Sequence, residues 1–305
     1  MSDLKFQILK FLIVSALVSC ASINADAQQK LNLVVPLWPE GKMPGRGADQ
    51  PQSDLPERPD KVQRTTNISR PTLETFPAAK KNSPAIIISP GGGYSYVVPG
   101  KEGQDVAEWL NLHGITAMVL RYRVPNNRDG ALQDIQRAIS LARANAKQWN
   151  IDKKRLGVMG FSAGGNLSAK ASAPLTERSY TPIDAIDKQS ARPDFAILIY
   201  PAYLEKDGKV AADLNVTGRT PPTFIAGTEG DKIFNPGGRI YHEALEAAKV
   251  RNKLIVYPGG GHGYGLKGEG DSAKWPEAAL EWLREIGVLK GKTQKEDSDK
   301  LKTEK

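Results

Sequence analysis

The chain has 305 residues, of which 40% are hydrophobic, 25% are charged and 7% are aromatic. This length and composition fit one large α/β domain, or two small ones, with enough apolar residues for an ample core. The formal net charge of +8 is spread along the chain, without an Arg/Lys block interleaved with aromatic residues. That distribution favours solubility and weak attraction to acidic surfaces, and it argues against a nucleic-acid partner.

The N-terminus has the pattern of a targeting segment. A weakly basic start is followed by an apolar core at residues 11–18, which is too short for a stable membrane span. A small-residue site predicts cleavage after Ala27, which makes residues 1–27 a signal peptide. In a competing interpretation, residues 17–20 resemble a bacterial lipobox and Cys20 carries a lipid anchor. Signal-peptide cleavage predicts a periplasmic or extracellular protein, and lipidation at Cys20 predicts an outer-membrane lipoprotein.

Cys20 is the single cysteine of the chain. After processing, the fold is therefore expected to have no disulfide, no thiol nucleophile and no cysteine metal site. An export signal on a cysteine-free chain favours a bacterial periplasm or cell surface over a disulfide-rich eukaryotic secretion product.

Secondary-structure patterns change along the chain. Residues 31–80 are rich in proline and polar residues, with short strands predicted at 31–36 and 68–76. From Pro84 onward, apolar strand patterns alternate with helical patterns, which is typical of a mainly parallel sheet with helices on both faces. The predicted strands are 85–89, 116–122, 155–159, 195–200, 223–226 and 253–257, and the predicted helices are 102–112, 131–149, one beginning at 165, 240–248 and 277–286.

We find no internal repeat, and no linker that would separate two domains. Residues 31–287 are therefore predicted to form one domain. The charged segment 288–305 is predicted to be a disordered tail.

The most informative motif is Gly160-Phe-Ser-Ala-Gly164, which fits the pattern Gly-x-Ser-x-Gly. A predicted buried strand precedes it and a helical pattern follows it. A serine on a sharp strand-to-helix turn has its hydroxyl exposed, and the flanking glycines avoid collisions between the strand and the helix. The motif predicts Ser162 as a catalytic nucleophile, with a glycine-rich structural turn as the alternative.

A serine hydroxyl needs a base, usually an imidazole, and the chain has three histidines. His113 ends a helical pattern, and His242 lies within one. His262 lies in a glycine-rich loop directly after the last predicted strand, at the edge of an open α/β sheet where ligands bind. His262 is therefore the predicted base, and a structural loop histidine is the alternative.

The base needs a carboxylate, which in this chain order falls between the serine and the histidine. Asp231 follows the predicted strand 223–226, and Glu229 lies in the same loop. We predict Asp231, because an apolar residue three positions later would anchor the loop. Glu229 remains the second candidate, and a solvated loop acid is the alternative for either residue.

An acyl-transfer reaction also needs hydrogen-bond donors for the oxyanion. The turn Ser-Pro-Gly-Gly-Gly-Tyr at 89–94 follows a predicted strand at the same edge of the sheet as the serine. The backbone N–H groups of Gly92 and Gly93 are predicted to face a bound carbonyl, and the N–H of Ala163 would complete the oxyanion hole. A flexible turn is the alternative interpretation.

Together these motifs resemble the α/β-hydrolase superfamily, and most closely its exported bacterial esterases and lipases, the BD-FAE-like group that includes acetylxylan and feruloyl esterases. The shared motifs span about residues 34–287 and include Pro-Gly-Gly-Gly-Tyr, Tyr-Arg-Val-Pro, Gly-Phe-Ser-Ala-Gly-Gly and Gly-His-Gly-Tyr-Gly. The resemblance implies an α/β-hydrolase fold, with a mostly parallel central sheet and helices on both faces. It also implies a serine esterase with Ser162, Asp231 and His262 as triad and no cofactor or metal.

The expected substrate depends on features around the site. Pro90 stands where hormone-sensitive-lipase relatives have a histidine, which moves the chain toward the carbohydrate esterases. The segment between Tyr200 and Thr223 is short and polar, which predicts an open site without a large lid. Such a site favours short acyl groups on a bulky alcohol, such as acetyl esters of xylan or another polysaccharide.

Three aromatic residues are candidates for sugar contacts. Tyr94, Tyr96 and Trp38 could stack on sugar rings, although aromatic residues near a turn more often serve packing.

Three rival functions are weaker. A prolyl-oligopeptidase-type peptidase shares the triad, but the chain has no room for the usual N-terminal propeller. A nucleotide-binding protein would need Gly-x-Gly-x-x-Gly or a Walker lysine, which the region around Ser162 lacks. A non-catalytic envelope protein on a hydrolase scaffold conflicts with the intact order of Ser, Asp and His.

Overall fold

A computed structural model describes residues 32–173 and 178–290. The elements below belong to the compact unit that begins at Leu33. The predicted signal segment, Cys20 and residues 291–305 lie outside the described residues. No helix in the described part of the chain is long and apolar enough to cross a membrane.

Eight strands form the central sheet, in the order β1-β2-β4-β3-β5-β6-β7-β8. Strand β2 is antiparallel to both of its neighbours, and the other adjacent pairs are parallel. All seven residues of β3 are buried, as expected for a central strand covered on both faces. The strands are β1 (Leu33–Pro36), β2 (Thr72–Phe76), β3 (Ser83–Ser89), β4 (Thr116–Arg121), β5 (Ile151–Phe161), β6 (Ala196–Ile199), β7 (Thr223–Thr228) and β8 (Asn252–Tyr257).

Five α-helices cover the two faces of the sheet. Two apolar clusters, one on each face, fill the space between helices and strands. One cluster includes residues of α2, α3 and α4, and the other includes residues of α1 and α5. The helices are α1 (Asp105–Leu112), α2 (Arg128–Ala144), α3 (Ala163–Ser172), α4 (Asn235–Ala247) and α5 (Trp275–Glu285).

This architecture confirms the predicted α/β-hydrolase fold. Several element boundaries differ from the predictions, and two of the differences have a visible local cause. Helix α2 begins at Arg128 because the Asn127 side chain accepts the Gly130 N–H at 2.9 Å and caps the first turn. Helix α4 begins at Asn235, where a proline occupies the first turn and the Asn235 N–H donates to the Asp231 carbonyl oxygen.

The first residue of the predicted tail is packed in the structure. Val288 is 7% exposed, and its N–H donates to the Leu283 carbonyl oxygen at 2.9 Å. The apolar side chain therefore packs against the end of α5, and any disordered tail would begin beyond it.

The segment between β6 and β7 contains no helical lid. Within residues 200–222 the structure has a short hairpin, Glu205–Lys206 with Lys209–Val210, and one 3₁₀ turn. Residues 32–82 likewise contain strands but no helix. The carboxyl edge of the parallel strands is therefore open where β5 and β8 end.

Candidate active site

Ser162 lies on the sharp turn between β5 and α3, with φ 52° and ψ −118°. This left-handed backbone is strained for a residue with a side chain. Close packing fixes the turn: a Cβ on Gly160 would lie 2.0 Å from the Gly164 carbonyl oxygen, and one on Gly164 would lie 1.9 Å from the Ser89 carbonyl oxygen. Both positions therefore need glycine, for the reason inferred from the motif.

His262 follows β8 in a glycine-rich loop. Its Nε2 lies 2.7 Å from Ser162 Oγ, and its Nδ1 lies 2.6 Å from Asp231 Oδ2. A carboxylate accepts hydrogen bonds only, so Nδ1 is the donor to Asp231. In the neutral imidazole, Nε2 is then the acceptor for the serine hydroxyl, which is the arrangement that a general base requires.

Asp231 lies in the turn after β7 and is 5% exposed. Its Oδ1 accepts the Phe234 N–H at 3.2 Å, and its Oδ2 faces the imidazole. Glu229 instead forms an exposed ion pair with Arg239. Of the two candidate acids in this loop, the structure therefore brings Asp231 to the histidine.

The other two histidines lie elsewhere. His113 follows the end of α1, with its ring 5.5 Å from that of Trp109. His242 lies in α4 and hydrogen-bonds Asn252.

The glycine turn after β3 lies beside the serine. A Cβ on Gly91 would lie 3.0 Å from Ser162 Cβ, so this backbone almost touches the nucleophile. The Tyr122 hydroxyl donates to the Pro90 carbonyl oxygen at 2.7 Å and holds the turn from behind. Gly92 and Gly93 have φ of 132° and 65°, in the region that favours glycine.

Three backbone N–H groups near the serine remain unpaired. Within residues 32–173 and 178–290, the N–H groups of Gly92, Gly93 and Ala163 donate no hydrogen bond. The Gly91 N–H, in contrast, donates to Glu102 Oε2 at 2.7 Å. The turn after β3 and the start of α3 therefore each carry backbone donors that are free to bind a ligand.

Glu102 is a site neighbour that the sequence reasoning missed. Its carboxyl group is buried, and besides the Gly91 N–H it accepts the Tyr200 hydroxyl at 2.8 Å. The Tyr200 hydroxyl in turn accepts the Gly265 N–H at 2.8 Å. One carboxyl group thus joins the glycine turn to the histidine loop.

Burial raises the pKa of the Glu102 carboxyl above its ordinary value. The hydrogen bonds from Tyr200 and Gly91 lower this pKa, but burial has the larger effect. A glutamate in the predicted helix 102–112 was a weak signal, because most such residues face solvent. An unusual π-helical turn, Gly100–Gln104, directs this one inward.

Aromatic rings flank the imidazole. The rings of Tyr200 and Phe234 lie 5.0 and 4.9 Å from that of His262. The Tyr203 ring lies 5.5 Å from that of Phe234 and extends the apolar surface outward. The sequence pattern identified Phe234 only as the apolar residue that anchors the Asp231 loop, and it gave no signal for the rings of Tyr200 and Tyr203.

Two of the predicted sugar-stacking residues are wrong. Tyr94 is 1% exposed, and its hydroxyl donates to Asn166 Oδ1 at 2.8 Å. Trp38 is 8% exposed, and its Nε1 donates to the buried Asp134 at 2.8 Å. Both rings pack in the core, so neither face is free for a sugar. Tyr96 is half-buried and remains a candidate.

No cluster of three or more His, Cys, Asp or Glu side chains arranged to hold a metal ion occurs among the described residues.

The sheet order, the strained serine after β5 and the histidine after β8 define the class of protein, an α/β-hydrolase. The BD-FAE family model matches residues 74–197, a range that includes Ser162 and Glu102. An acetylxylan esterase of Xylanibacter ruminicola is 30% identical over an alignment that covers 68% of this chain and 46% of that protein. Endo-1,4-beta-xylanase B of Butyrivibrio fibrisolvens is 30% identical, covering 58% of this chain and 32% of that protein.

A solved structure agrees with these relatives. The acetyl ester-xyloside bifunctional hydrolase of Caldicellulosiruptor lactoaceticus superposes with a TM-score of 0.70 at 29% identity, covering 84% of this chain and 97% of that chain. The chain is thus similar to esterases of the α/β-hydrolase fold, an acetylxylan esterase among them. It spans less than half the length of the two curated relatives described above.

Proposed function

We propose that the protein is a serine carboxylesterase that hydrolyses short-acyl esters, of the acetyl type, on carbohydrate such as acetylated xylan. The observation that carries the proposal is the chain of two hydrogen bonds from Ser162 Oγ through His262 to Asp231, at 2.7 and 2.6 Å. Nucleophile, base and orienting carboxylate are then within direct reach of one another.

The proposed reaction begins when His262 Nε2 takes the proton of the Ser162 hydroxyl. Oγ attacks the ester carbonyl carbon, and the carbonyl π electrons move to the oxygen, which becomes an oxyanion. The free N–H groups of Ala163 and of Gly92 or Gly93 stabilise that charge. Collapse of the intermediate breaks the bond to the alcohol oxygen, which takes the proton from the imidazolium.

Deacylation repeats these steps with water as the nucleophile. His262 takes a proton from the water, the hydroxide adds to the acyl carbon, and Ser162 Oγ leaves as it regains a proton from the imidazolium. Asp231 accepts the Nδ1–H throughout and stabilises the imidazolium, without being protonated itself.

The open carboxyl edge of the sheet supports the proposed preference for short acyl groups. Long acyl chains need a deep apolar pocket, and the described segments that most often form a lid contain no α-helix. The names of the relatives, an acetylxylan esterase and an acetyl ester-xyloside hydrolase, support an acetylated sugar as the alcohol side.

The test is hydrolysis of p-nitrophenyl esters from acetate to decanoate by the wild type and by Ser162→Ala, with exposed Ser190→Ala as the matched control. We expect acetate to be preferred and Ser162→Ala to lose nearly all turnover, while the control keeps it. Preference for decanoate would refute the short-acyl assignment. Normal turnover by Ser162→Ala would refute the nucleophile.

We further propose that the protein is exported, on the evidence of its N-terminal sequence. Mass spectrometry of the mature protein distinguishes the two routes. A first residue of Gln28 indicates signal-peptide cleavage, and a lipidated Cys20 indicates a membrane anchor. An intact Met1 in the mature protein would contradict export.

A further inference from the structure

We propose that Arg128, together with Tyr203, forms a subsite for a carboxylate group carried by the ester substrate. This inference rests on the proposed esterase function and adds a substrate class to it, esters with a negative charge beside the scissile bond. The observation that points to it is an exposed guanidinium that lies over aromatic rings near the serine and has no carboxylate partner.

The position of Arg128 is fixed by two tyrosines. Its guanidinium carbon lies 4.7 Å from the ring centroid of Tyr94 and 4.5 Å from that of Tyr203. Asn166 holds both tyrosines, because its Oδ1 accepts the Tyr94 hydroxyl and its Nδ2 donates to the Tyr203 carbonyl oxygen. The Asn166 N–H donates to the Ser162 carbonyl oxygen, so this support belongs to the first turn after the nucleophile.

Arg128 differs from the other arginines that lie over rings. Five described arginines do so, and four of them also form an ion pair with a carboxylate within 4 Å. Within the described residues, 32–173 and 178–290, the Arg128 guanidinium forms neither an ion pair nor a hydrogen bond. The four pairs are Arg64–Asp60, Arg123–Asp134, Arg137–Asp184 and Arg178–Asp187.

This difference leaves donors for a ligand. A guanidinium on an aromatic face keeps its edge N–H groups directed outward, where they can bind a carboxylate through two parallel hydrogen bonds. The two rings hold the cation in place before a ligand arrives, which reduces the entropy lost on binding.

The subsite is close to the proposed reaction centre but separate from it. The rings of Tyr203 and Phe234 lie between the guanidinium and the His262 imidazole, with successive centroid separations of 5.5 and 4.9 Å. All of these side chains are partly exposed and line one continuous surface. A group bound at Arg128 would thus lie on the same surface as the scissile bond, on the acyl or on the alcohol side.

The test compares pairs of esters that differ in charge and are similar in size. On the acyl side, these are the p-nitrophenyl half-ester of succinate and p-nitrophenyl butyrate. On the alcohol side, they are acetylated methyl glucuronoside and acetylated methyl glucoside. Each is hydrolysed by the wild type, by Arg128→Gln and by Arg58→Gln, which removes an exposed arginine from another segment and matches the charge change.

We expect Arg128→Gln to lower the anionic-to-neutral ratio of kcat/KM by about 10-fold or more in one arm, the usual size for losing a charged hydrogen-bond partner. Arg58→Gln should leave that ratio within about twofold, because screening weakens the effect of a distant charge. The ester pair whose ratio falls shows whether the carboxylate bound by Arg128 lies on the acyl or on the alcohol side of the substrate. An unchanged ratio in both arms would overturn the inference.

A binding measurement separates this inference from the proposed function. Calorimetric titration of the Ser162→Ala protein with methyl glucuronoside, succinate and their neutral counterparts needs no turnover. Preferential binding of an anion that Arg128→Gln abolishes supports the subsite, even if no ester is hydrolysed. Equal binding of anion and neutral counterpart, or binding that survives Arg128→Gln, would refute it.

Discussion

The turn that carries Ser162 and the loop that carries His262 are held in different ways. At the serine turn, backbone meets backbone, and glycines at 160 and 164 leave no space for a Cβ. The histidine loop is exposed at 259–262 and is held by side chains, including the Thr228 hydroxyl on the Gly261 carbonyl oxygen and Lys101 on that of Gly263. The serine turn is marked in the sequence by five consecutive residues, whereas the histidine loop is held by side chains from distant segments.

The largest effect is expected at the histidine's carboxylate partner. Asp231→Asn keeps the shape of the side chain but loses the charge that stabilises the imidazolium. We expect kcat/KM for p-nitrophenyl acetate to fall by about 10³- to 10⁴-fold. Glu229→Gln, in the same loop, should change it by less than about twofold, since Glu229 pairs with Arg239 instead. Equal losses in the two variants would refute the assignment of Asp231.

A pair of glycine substitutions sharpens the contrast between turn and loop. Gly164→Ala places a Cβ 1.9 Å from the Ser89 carbonyl oxygen, so we expect a loss of about 3 kcal/mol or failure to fold. Gly259→Ala adds a Cβ that meets nothing within 4 Å, at a φ open to other residues, and should change stability by less than about 1 kcal/mol. Urea unfolding measures both. Similar losses would contradict the contrast.

The Glu102 link is expected to have a smaller effect on catalysis. Gln at 102 has an NH2 group in place of one carboxylate oxygen, so it cannot accept both bonds as Glu102 does, from the Tyr200 hydroxyl through one oxygen and from the Gly91 N–H through the other. We therefore expect kcat to fall by about 10- to 100-fold with KM nearly unchanged, because positioning rather than substrate binding is lost.

Tyr200→Phe should reduce kcat in the same direction, and the double variant should lose less than the product of the two effects. Tyr241→Phe is the matched control, because the Tyr241 hydroxyl is buried with no partner among the described residues. If the double-mutant cycle shows that the effects of Glu102→Gln and Tyr200→Phe on kcat are independent, the proposed link between the two residues is refuted.

The smallest effect concerns pH. Burial raises the pKa of Glu102 above its ordinary value of 4.5, so the folded protein binds this proton more tightly than the unfolded chain. The Glu102 contribution to the free energy of unfolding therefore falls as pH rises through the window from 4.5 up to the raised pKa. Urea unfolding measures the free energy of unfolding of the wild type and of Glu102→Gln across this pH range. The wild-type value minus the Glu102→Gln value should fall as the pH rises. A difference that rises with pH would contradict the sign.

Sequence predicted the parts of the site that local patterns determine. Ser162, Asp231 and His262 each follow an apolar strand, and parallel strands end at the same edge of the sheet. The structure brings these side chains together, and their catalytic roles remain proposals.

The errors come from residues whose environment depends on distant segments. Tyr94 follows a glycine turn, where the sequence fits a surface ring as well as a buried one. Its burial depends on Asn166, which is 72 positions away. Glu102 had no motif at all, since its two hydrogen-bond partners, Gly91 and Tyr200, come from separate segments that the fold brings together.

The most direct test of the central claim is covalent trapping with an organophosphorus ester, followed by peptide mass spectrometry. A serine activated by a neighbouring base should form a single adduct on Ser162, and Asp231→Asn should slow its formation while Glu229→Gln does not. An adduct on another residue, or no adduct on the folded protein, would contradict a catalytic Ser162.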